Sequence, residues 1–251
     1  MPFTMLWDKY FEVFIKMRLN PELGIDASAL DRFSVDEFAG AARRLQDEGL
    51  SNTFHAPFID LSPGSTDPKI REITRNRFEQ VIELIPLFRP KTVVCHIGYE
   101  WKRYGYLGEE WIEKSLETWL WFAESINQAG SRMMLENVYE HDPEDILAFF
   151  ERLQEFKVGF CLDTGHQSAF SRSSLDRWLD SMGSYIGQVH LHDNHGERDE
   201  HLALGQGDIN FRSFFRRLKK ICKEPPFVTI EPHQEADLQP SLDYLEEAWP
   251  W

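Results

Sequence analysis

The sequence predicts an α/β protein of the single (β/α)8 TIM-barrel class, on three observations. Short β-rich runs alternate with amphipathic helical stretches, the alternation repeats eight times, and no tract rich in Pro, Gly or Ser interrupts it. The length of 251 residues suits that class, because α/β barrels commonly run to about 250 residues as one unit. One domain over residues 1–251 is therefore expected. A doubly wound open sheet is the alternative, and no strand here is followed by the glycine-rich phosphate loop of such folds.

The expected strands cover residues 2–5, 22–25, 50–55, 92–96, 132–137, 158–163, 188–192 and 227–231. The first expected helix spans about residues 8–19. Ser34-Val-Asp-Glu37 reads as a capping box, with the Ser34 hydroxyl and the Glu37 carboxylate each taking an N–H at the helix start. That helix stops before Gly49, a left-handed terminator. Asp67-Pro68 opens a helix to about Leu87, with Pro in the first turn. Ile112, Leu116, Trp119, Leu120 and Phe122 mark one apolar face of a helix over 109–129, ended by Gly130. Asp142-Pro143 caps the next, and further helices are expected near 174–182, 210–223 and 238–248.

Composition sets the class of protein. Apolar residues make up 42%, and 19 Phe with 8 Trp supply a core that a disordered chain would lack. Asp8 and Lys9 break the first apolar run, so no signal-peptide core is expected. No apolar stretch approaches the roughly 18 residues of a membrane span. Three separated cysteines, Cys95, Cys161 and Cys222, do not form a disulfide framework, and a cytoplasmic protein is expected. The net charge of −15, from 42 acids against 27 bases, argues against nucleic acid and for a small-molecule substrate.

Metal-ligating residue types recur where expected strands end. His55, His96, Glu136, Asp163 with His166, His190 and Glu231 stand at six such ends, and the loop after residue 192 adds Asp199 and His201. In a barrel those ends converge on one mouth, where active sites are built. Any one of these alone reads as an ordinary hydrogen-bonded residue; nine in equivalent places read as a ligand set. Mixed imidazole and carboxylate donors suit Zn2+ or Mn2+ better than Mg2+ or Ca2+, and one to three divalent ions per chain are expected. His192 shares the face of His190 and is a candidate substrate contact or supporting donor, with a structural histidine as the alternative. Lys102 and Arg103, among the aromatics of residues 99–106, would clamp a phosphate or stack on a planar substrate; a solvated loop is the alternative. Asp193 is placed to orient a ligand imidazole.

The stretches His55-Ala-Pro-Phe, Val94-Cys-His96-Ile-Gly, Leu135-Glu136-Asn137, Leu162-Asp-Thr-Gly-His166, His190-Leu-His-Asp193, Asp199-Glu-His201-Leu-Ala-Leu-Gly-Gln-Gly207 and Ile230-Glu231 occur in that order. Together they resemble the xylose isomerase-like TIM barrels, which include sugar and sugar-phosphate isomerases and epimerases and the endonuclease IV (AP endonuclease family 2) proteins. The resemblance runs from about Glu22 to His233. Its endonuclease IV branch implies His55 and His96 on one zinc, Glu136 bridging to a second completed by Asp163, His190 and Glu231, and a third held by His166, Asp199 and His201. Its isomerase branch implies one Mn2+ or Zn2+ on Glu136, Asp163, His190 and Glu231.

Two chemistries follow from that resemblance. The first is phosphoester hydrolysis by metal-activated water, on a small phosphorylated or sugar-like substrate that includes cobamide-type phosphodiesters. The second is isomerisation or epimerisation, with Glu136 and Glu231 as the catalytic pair that exchanges a proton beside a sugar carbonyl. An AP endonuclease fits the acidic charge poorly and the chain lacks obvious basic DNA-gripping loops, and a binding barrel without turnover leaves the ligand set unexplained.

Overall fold

The computed structural model describes residues 1–251. Seven parallel strands lie in one sheet in chain order: β1 (Glu22–Gly24), β2 (Thr53–His55), β3 (Thr92–His96), β4 (Arg132–Glu136), β5 (Gly159–Asp163), β6 (Ile186–Leu191) and β7 (Phe227–Ile230). With helices between successive strands, this is an α/β fold of the TIM-barrel type.

The first expected strand, at residues 2–5, is a correction. Pro2 makes a single parallel bridge to Gly24, and the Gly24 N–H donates to the Met1 carbonyl at 2.9 Å. The chain then turns helical at Phe3–Met5, because the Pro2 carbonyl accepts from both Met5 and Leu6. Phe3 and Leu6, three residues apart and fully buried, sit on one helical face. Helical spacing of the large apolar groups outweighs the β-like composition.

The other expected elements form with small changes of boundary. The capping box closes as read: Glu37 N–H donates to Ser34 Oγ and Ser34 N–H to Glu37 Oε2 at 2.8 Å. Asp67 caps the helix Pro68–Phe88 through the Lys69 N–H at 2.8 Å. Gly49 and Gly130 take the left-handed conformation that ends their helices, with φ of +67° and +88°.

Two compact units make up the chain. In the first (Met1–Gly98, Leu107–Met134 and Leu153–Val158), β1 to β3 pair in parallel with Gly24 level with His55 and His55 level with Val94. Its core is aromatic: Phe3 packs on Phe33 and Phe38 with centroids 5.1 and 4.6 Å apart, and Phe78 stacks on Phe122 at 4.4 Å. In the second (Tyr99–Tyr106, Leu135–Arg152 and Gly159–Trp251), β5 to β7 pair in parallel. Phe160 packs there between Phe150 and Trp178, while Phe211, Phe214, Phe215 and Leu218 bury one face of the helix Phe211–Ile221. No helix is long and apolar enough to cross a membrane.

Replacing Ser34 by Ala removes one half of the capping box. A loss of about 1 kcal/mol of stability is expected, read from urea unfolding; an unchanged midpoint would show that the helix start is held by other contacts.

Candidate metal centre

Parallel pairing does the first part of the assembly. Asp163 ends β5 directly beside His190 of β6, and Leu191 pairs with Ile230, so Glu231 follows just past β7. Glu136 ends β4 in the same unit. The four side chains face one another: His190 Nδ1 lies 2.7 Å from Glu231 Oε1, 3.4 Å from Glu136 Oε1 and 4.0 Å from Asp163 Oδ2. Gln188, two residues earlier on the same strand face, reaches His190 Nε2 at 3.2 Å and Thr229 at 3.2 Å. One ring nitrogen of His190 is thereby held from behind, and the other is aimed at three carboxylates.

A second donor group lies beside the first. The Asp163 side chain caps the helix Thr164–Phe170 through the His166 N–H at 2.7 Å, which sets His166 one turn beyond the strand. The Asn137 carbonyl takes the Nδ1–H of His166 at 3.1 Å, and the Glu231 carbonyl takes that of His201 at 2.8 Å. A carbonyl can only accept, so both imidazoles carry a proton on Nδ1, which leaves Nε2 as the atom each could offer a metal. Those two Nε2 atoms meet at Asp199 Oδ2, at 3.5 Å from His166 and 3.2 Å from His201. Their ring planes are 82° apart, so their lone pairs can converge on one point.

His192 belongs to this interior. It is 1% exposed, with Nε2 3.1 Å from Asp163 Oδ1 and Nδ1 3.5 Å from Asp199 Oδ1. Its ring stacks on His201 at 3.8 Å with planes 9° apart, and His233 stacks on the other face of His201 at 3.6 Å and 12°. Stacked rings carry their in-plane lone pairs in two separate, nearly parallel planes, so the two cannot both point at one ion about 2.1 Å from each nitrogen. His192 therefore packs against His201 and is not placed to share an ion with it. Gly165 is required by this packing, since a Cβ there would stand 1.9 Å from the His192 ring.

Asp193 holds the loop, not an imidazole. Its buried carboxylate accepts four backbone N–H groups: Asn194 and Ile209 on Oδ1 at 2.9 and 3.1 Å, Gly205 and Gly207 on Oδ2 at 2.9 Å each. The loop bearing Asp199 and His201 is thus folded around one anion, and a Cβ on Gly207 would meet Asp193 Oδ1 at 2.4 Å. Asn137 extends the sheet with its side chain, donating to the Asp163 carbonyl and accepting the Asp163 N–H, both at 3.0 Å. Sequence reasoning missed Asn137, Gln188 and His233 as working residues. The Leu-Glu-Asn motif and the period-two spacing from His190 were the available signals for the first two; nothing local marks His233.

The electrostatics fit a cation. Asp163 Oδ2 and Asp199 Oδ1 are buried and take no hydrogen bond, a costly state for anionic oxygens unless positive charge faces them. Burial works against a charge on His166, yet Asp163, Asp199 and Glu136 hold its imidazole well above the ordinary value. Burial would likewise raise Glu231, but His190 beside it holds the carboxyl below the usual range. Burial and the neighbouring His201 push His233 down. With imidazole and carboxylate donors in place, the residues fit Zn2+ or Mn2+. Glu136 is 1% exposed on its side chain, whereas Glu231 and Asp199 expose 24% and 27%, so these two reach solvent where Glu136 does not.

In the other unit His55 and His96 form a perpendicular imidazole pair, centroids 4.8 Å apart at 86°, with Phe58 tilted over His96 at 4.0 Å. His55 Nδ1–H donates to the Ala56 carbonyl at 2.9 Å, the same device that orients His166 and His201. Lys102 and Arg103 lie exposed on the short helix Trp101–Tyr104, with the Arg103 guanidinium 5.2 Å over the Tyr104 ring. They join none of these groups.

The chain matches the family model described as "Xylose isomerase-like TIM barrel" over residues 9–248. It is 30% identical to the uncharacterized protein MJ1614 of Methanocaldococcus jannaschii over 212 residues, 80% of this chain and 79% of that protein. It is 25% identical to a probable endonuclease 4 of Mycobacterium leprae over 169 residues, 62% of this chain and 64% of that one. Among solved structures, a D-tagatose 3-epimerase-like protein superposes with a TM-score of 0.79 at 25% identity, covering 90% of this chain and 87% of its own. The TTHB071 protein of Thermus thermophilus, soaked with ZnCl2, superposes at 0.84 with 23% identity, covering 99% and 95%, a likeness of fold.

Two expectations test this arrangement. Asp193→Asn exchanges an acceptor oxygen for an amide that cannot take two of the four N–H groups, at a cost of about 1.5–3 kcal/mol. Thermal unfolding at lower temperature and faster amide exchange over 199–207 should follow; unchanged exchange would mean that Asp193 does not hold the loop. The second concerns Glu140, whose Oε2 accepts the Val138 N–H at 2.6 Å. Burial pushes its carboxyl up to about 7, from 4.5. The unfolded chain therefore releases this proton near 4.5 while the folded one keeps it to about 7, so stability falls as pH rises through that window. The fall is about 3 kcal/mol. In chelator, Glu140→Gln should flatten the dependence of the urea midpoint between pH 5 and 8; equal slopes in the two proteins would assign it elsewhere.

Proposed function

Because the chain belongs to the xylose isomerase-like TIM barrel family, we propose that it is a divalent-metal-dependent hydrolase of a small phosphoester. The observation that carries this reading is the second donor group, His166, Asp199 and His201, standing beside Glu136, Asp163, His190 and Glu231. An isomerase of the family needs only the latter four. A hydrolase has a use for both, because adjacent cations stabilise the attacking and leaving oxygens of an in-line displacement. His55 and His96, a perpendicular pair with the same orienting hydrogen bond, are assigned to a further ion.

Bound Zn2+ or Mn2+ supplies Lewis-acid polarisation of a phosphoryl oxygen and a lowered pKa for water. The chain's own residues set where that chemistry occurs. Glu136, buried, and Asp163 keep negative charge in the interior to hold cations, while Glu231 and Asp199 reach solvent and border the substrate. His166 and His201 are locked in one tautomer by backbone carbonyls, so neither ring turns when ligand enters. The acidic surface favours a small substrate over a nucleic acid.

A second reading, sugar epimerisation, has its own observation. Glu136 and Glu231 both approach His190 Nδ1, at 3.4 and 2.7 Å, so two carboxylates flank one point as a proton-exchanging pair must. Elemental analysis separates the readings: two or three ions per chain are expected for the hydrolase, one for the epimerase. His201→Ala adds a kinetic arm. It should reduce turnover of a small phosphodiester such as bis(p-nitrophenyl) phosphate by at least the roughly 10- to 100-fold that losing a partner behind a ligand costs; a one-metal epimerase would keep most of its activity in that variant.

A further inference from the structure

His201 is held in a way that its neighbours are not. It is one of five non-glycine residues with positive φ, at +52°, a left-handed conformation costing a side-chain-bearing residue about 1–2 kcal/mol. Such a conformation persists where the surroundings over-determine it. Leu202, next in the chain, is pinned by two backbone hydrogen bonds to Asp193, at 2.9 and 3.0 Å. The ring is then gripped three times: by the Glu231 carbonyl on Nδ1, by His192 on one face and by His233 on the other. The carbonyl and the outer ring come from one three-residue stretch, Glu231-Pro232-His233. Proline between them fixes φ near −65°, which limits how far His233 can drift from the residue whose carbonyl does the holding.

We propose that His233 is a positioning residue for the second donor group: its ring closes the imidazole stack from outside and keeps the His201 plane aimed so that Nε2 faces Asp199. This rests on the reading of His166, Asp199 and His201 as metal ligands. His233 acts through its flat face, not through a nitrogen, because its plane lies within 12° of the His201 plane at 3.6 Å, which keeps its lone pairs in a separate plane from those of His201. Without that face, the His201 ring keeps a stacking partner on the inner side alone, His192, and can tilt outward about its Cβ–Cγ bond. The exit of β7 thereby couples the two groups: Glu231 contributes its carboxylate to one, and its carbonyl with His233 orients a ligand of the other.

The test uses His233→Ala, His233→Phe and His233→Leu in the full chain, with correct folding checked by circular dichroism. Two measurements are made: zinc titration with ion count per chain, and the chemical shifts of the His201 ring protons in metal-free protein. The alanine variant should weaken zinc at one site by 10- to 100-fold, on the scale of lost supporting contacts to a ligand, and move the His201 ring signals downfield as the ring current disappears. The phenylalanine variant should restore both, and leucine, which fills space without a flat face, should restore neither. It also carries the loss arm should alanine fail to fold. Zinc lost equally from the phenylalanine variant overturns the proposal and makes His233 a donor. So do unchanged His201 shifts in the alanine and leucine variants. A wild-type chain that takes up one ion sinks the multinuclear reading instead, and the ring-proton shifts then still decide whether His233 sets the His201 plane.

Discussion

Parallel strand register is the constraint from which the rest of this molecule follows. In a parallel sheet every strand ends on the same side, and level pairing of Asp163 with His190 brings two ligand-type side chains together without any loop having to fold first. His190 in turn lies level with Thr229, which puts Glu231 one step past the end of β7 with its N–H on the Leu191 carbonyl. A slip of one residue in either pairing would turn the carboxylates away from the imidazole, because side chains alternate between faces. The polar supports follow the same geometry: Gln188 backs His190 from two residues earlier, and Asn137 adds a side-chain rung to β5.

Gathering so many carboxylates at one place opposes folding unless charge is balanced. Asp163 and Glu136 are almost wholly buried, and Asp163 Oδ2 lacks a hydrogen bond. The protein answers in two ways. It commits some acidic oxygens to backbone N–H groups, as Asp193 does four times, where the anion organises a loop. It surrounds the others with imidazoles whose protons are placed by carbonyls, a set that suits a divalent cation better than it suits an apolar interior. Asp163 and Asp193, both buried and three residues from a histidine of the cluster, thus do different work because one meets imidazoles and the other meets amides.

Several features of the site are legible from residue order alone. Eight of the nine ligand-type residues lie at or just past strand ends or in the one loop where the sequence places them, and His166 lies one turn beyond β5, since hydrophobic alternation marks the strands and a His, Asp or Glu closing such a run is conspicuous. The capping box at Ser34, the Asp67-Pro68 start and the left-handed Gly49 and Gly130 are local chemistry, complete within a few residues, and they form as read. The segment at residues 2–5 is the instructive failure. Its β-like composition gives way to helix because Phe3 and Leu6 find a hydrophobic face at helical spacing, and only the Pro2 bridge remains of a strand.

The sequence by itself determined the α/β class and the order of the strands, and it set His, Asp and Glu residues where those strands end, because periodicity, capping and turn chemistry act over a few residues. Tertiary structure alone decided what each polar group does. Asp193 looked like a partner for an imidazole and became the hub of a loop, since the amides of residues 194, 205, 207 and 209 meet only after that loop closes. His192, read as a substrate contact or a structural histidine, stacks on His201, since stacking depends on the angle at which two segments cross. His233, unmarked by any motif, reaches His201 from 32 positions away. Contacts between residues far apart in the chain depend on three-dimensional angles and distances, and no local pattern encodes those.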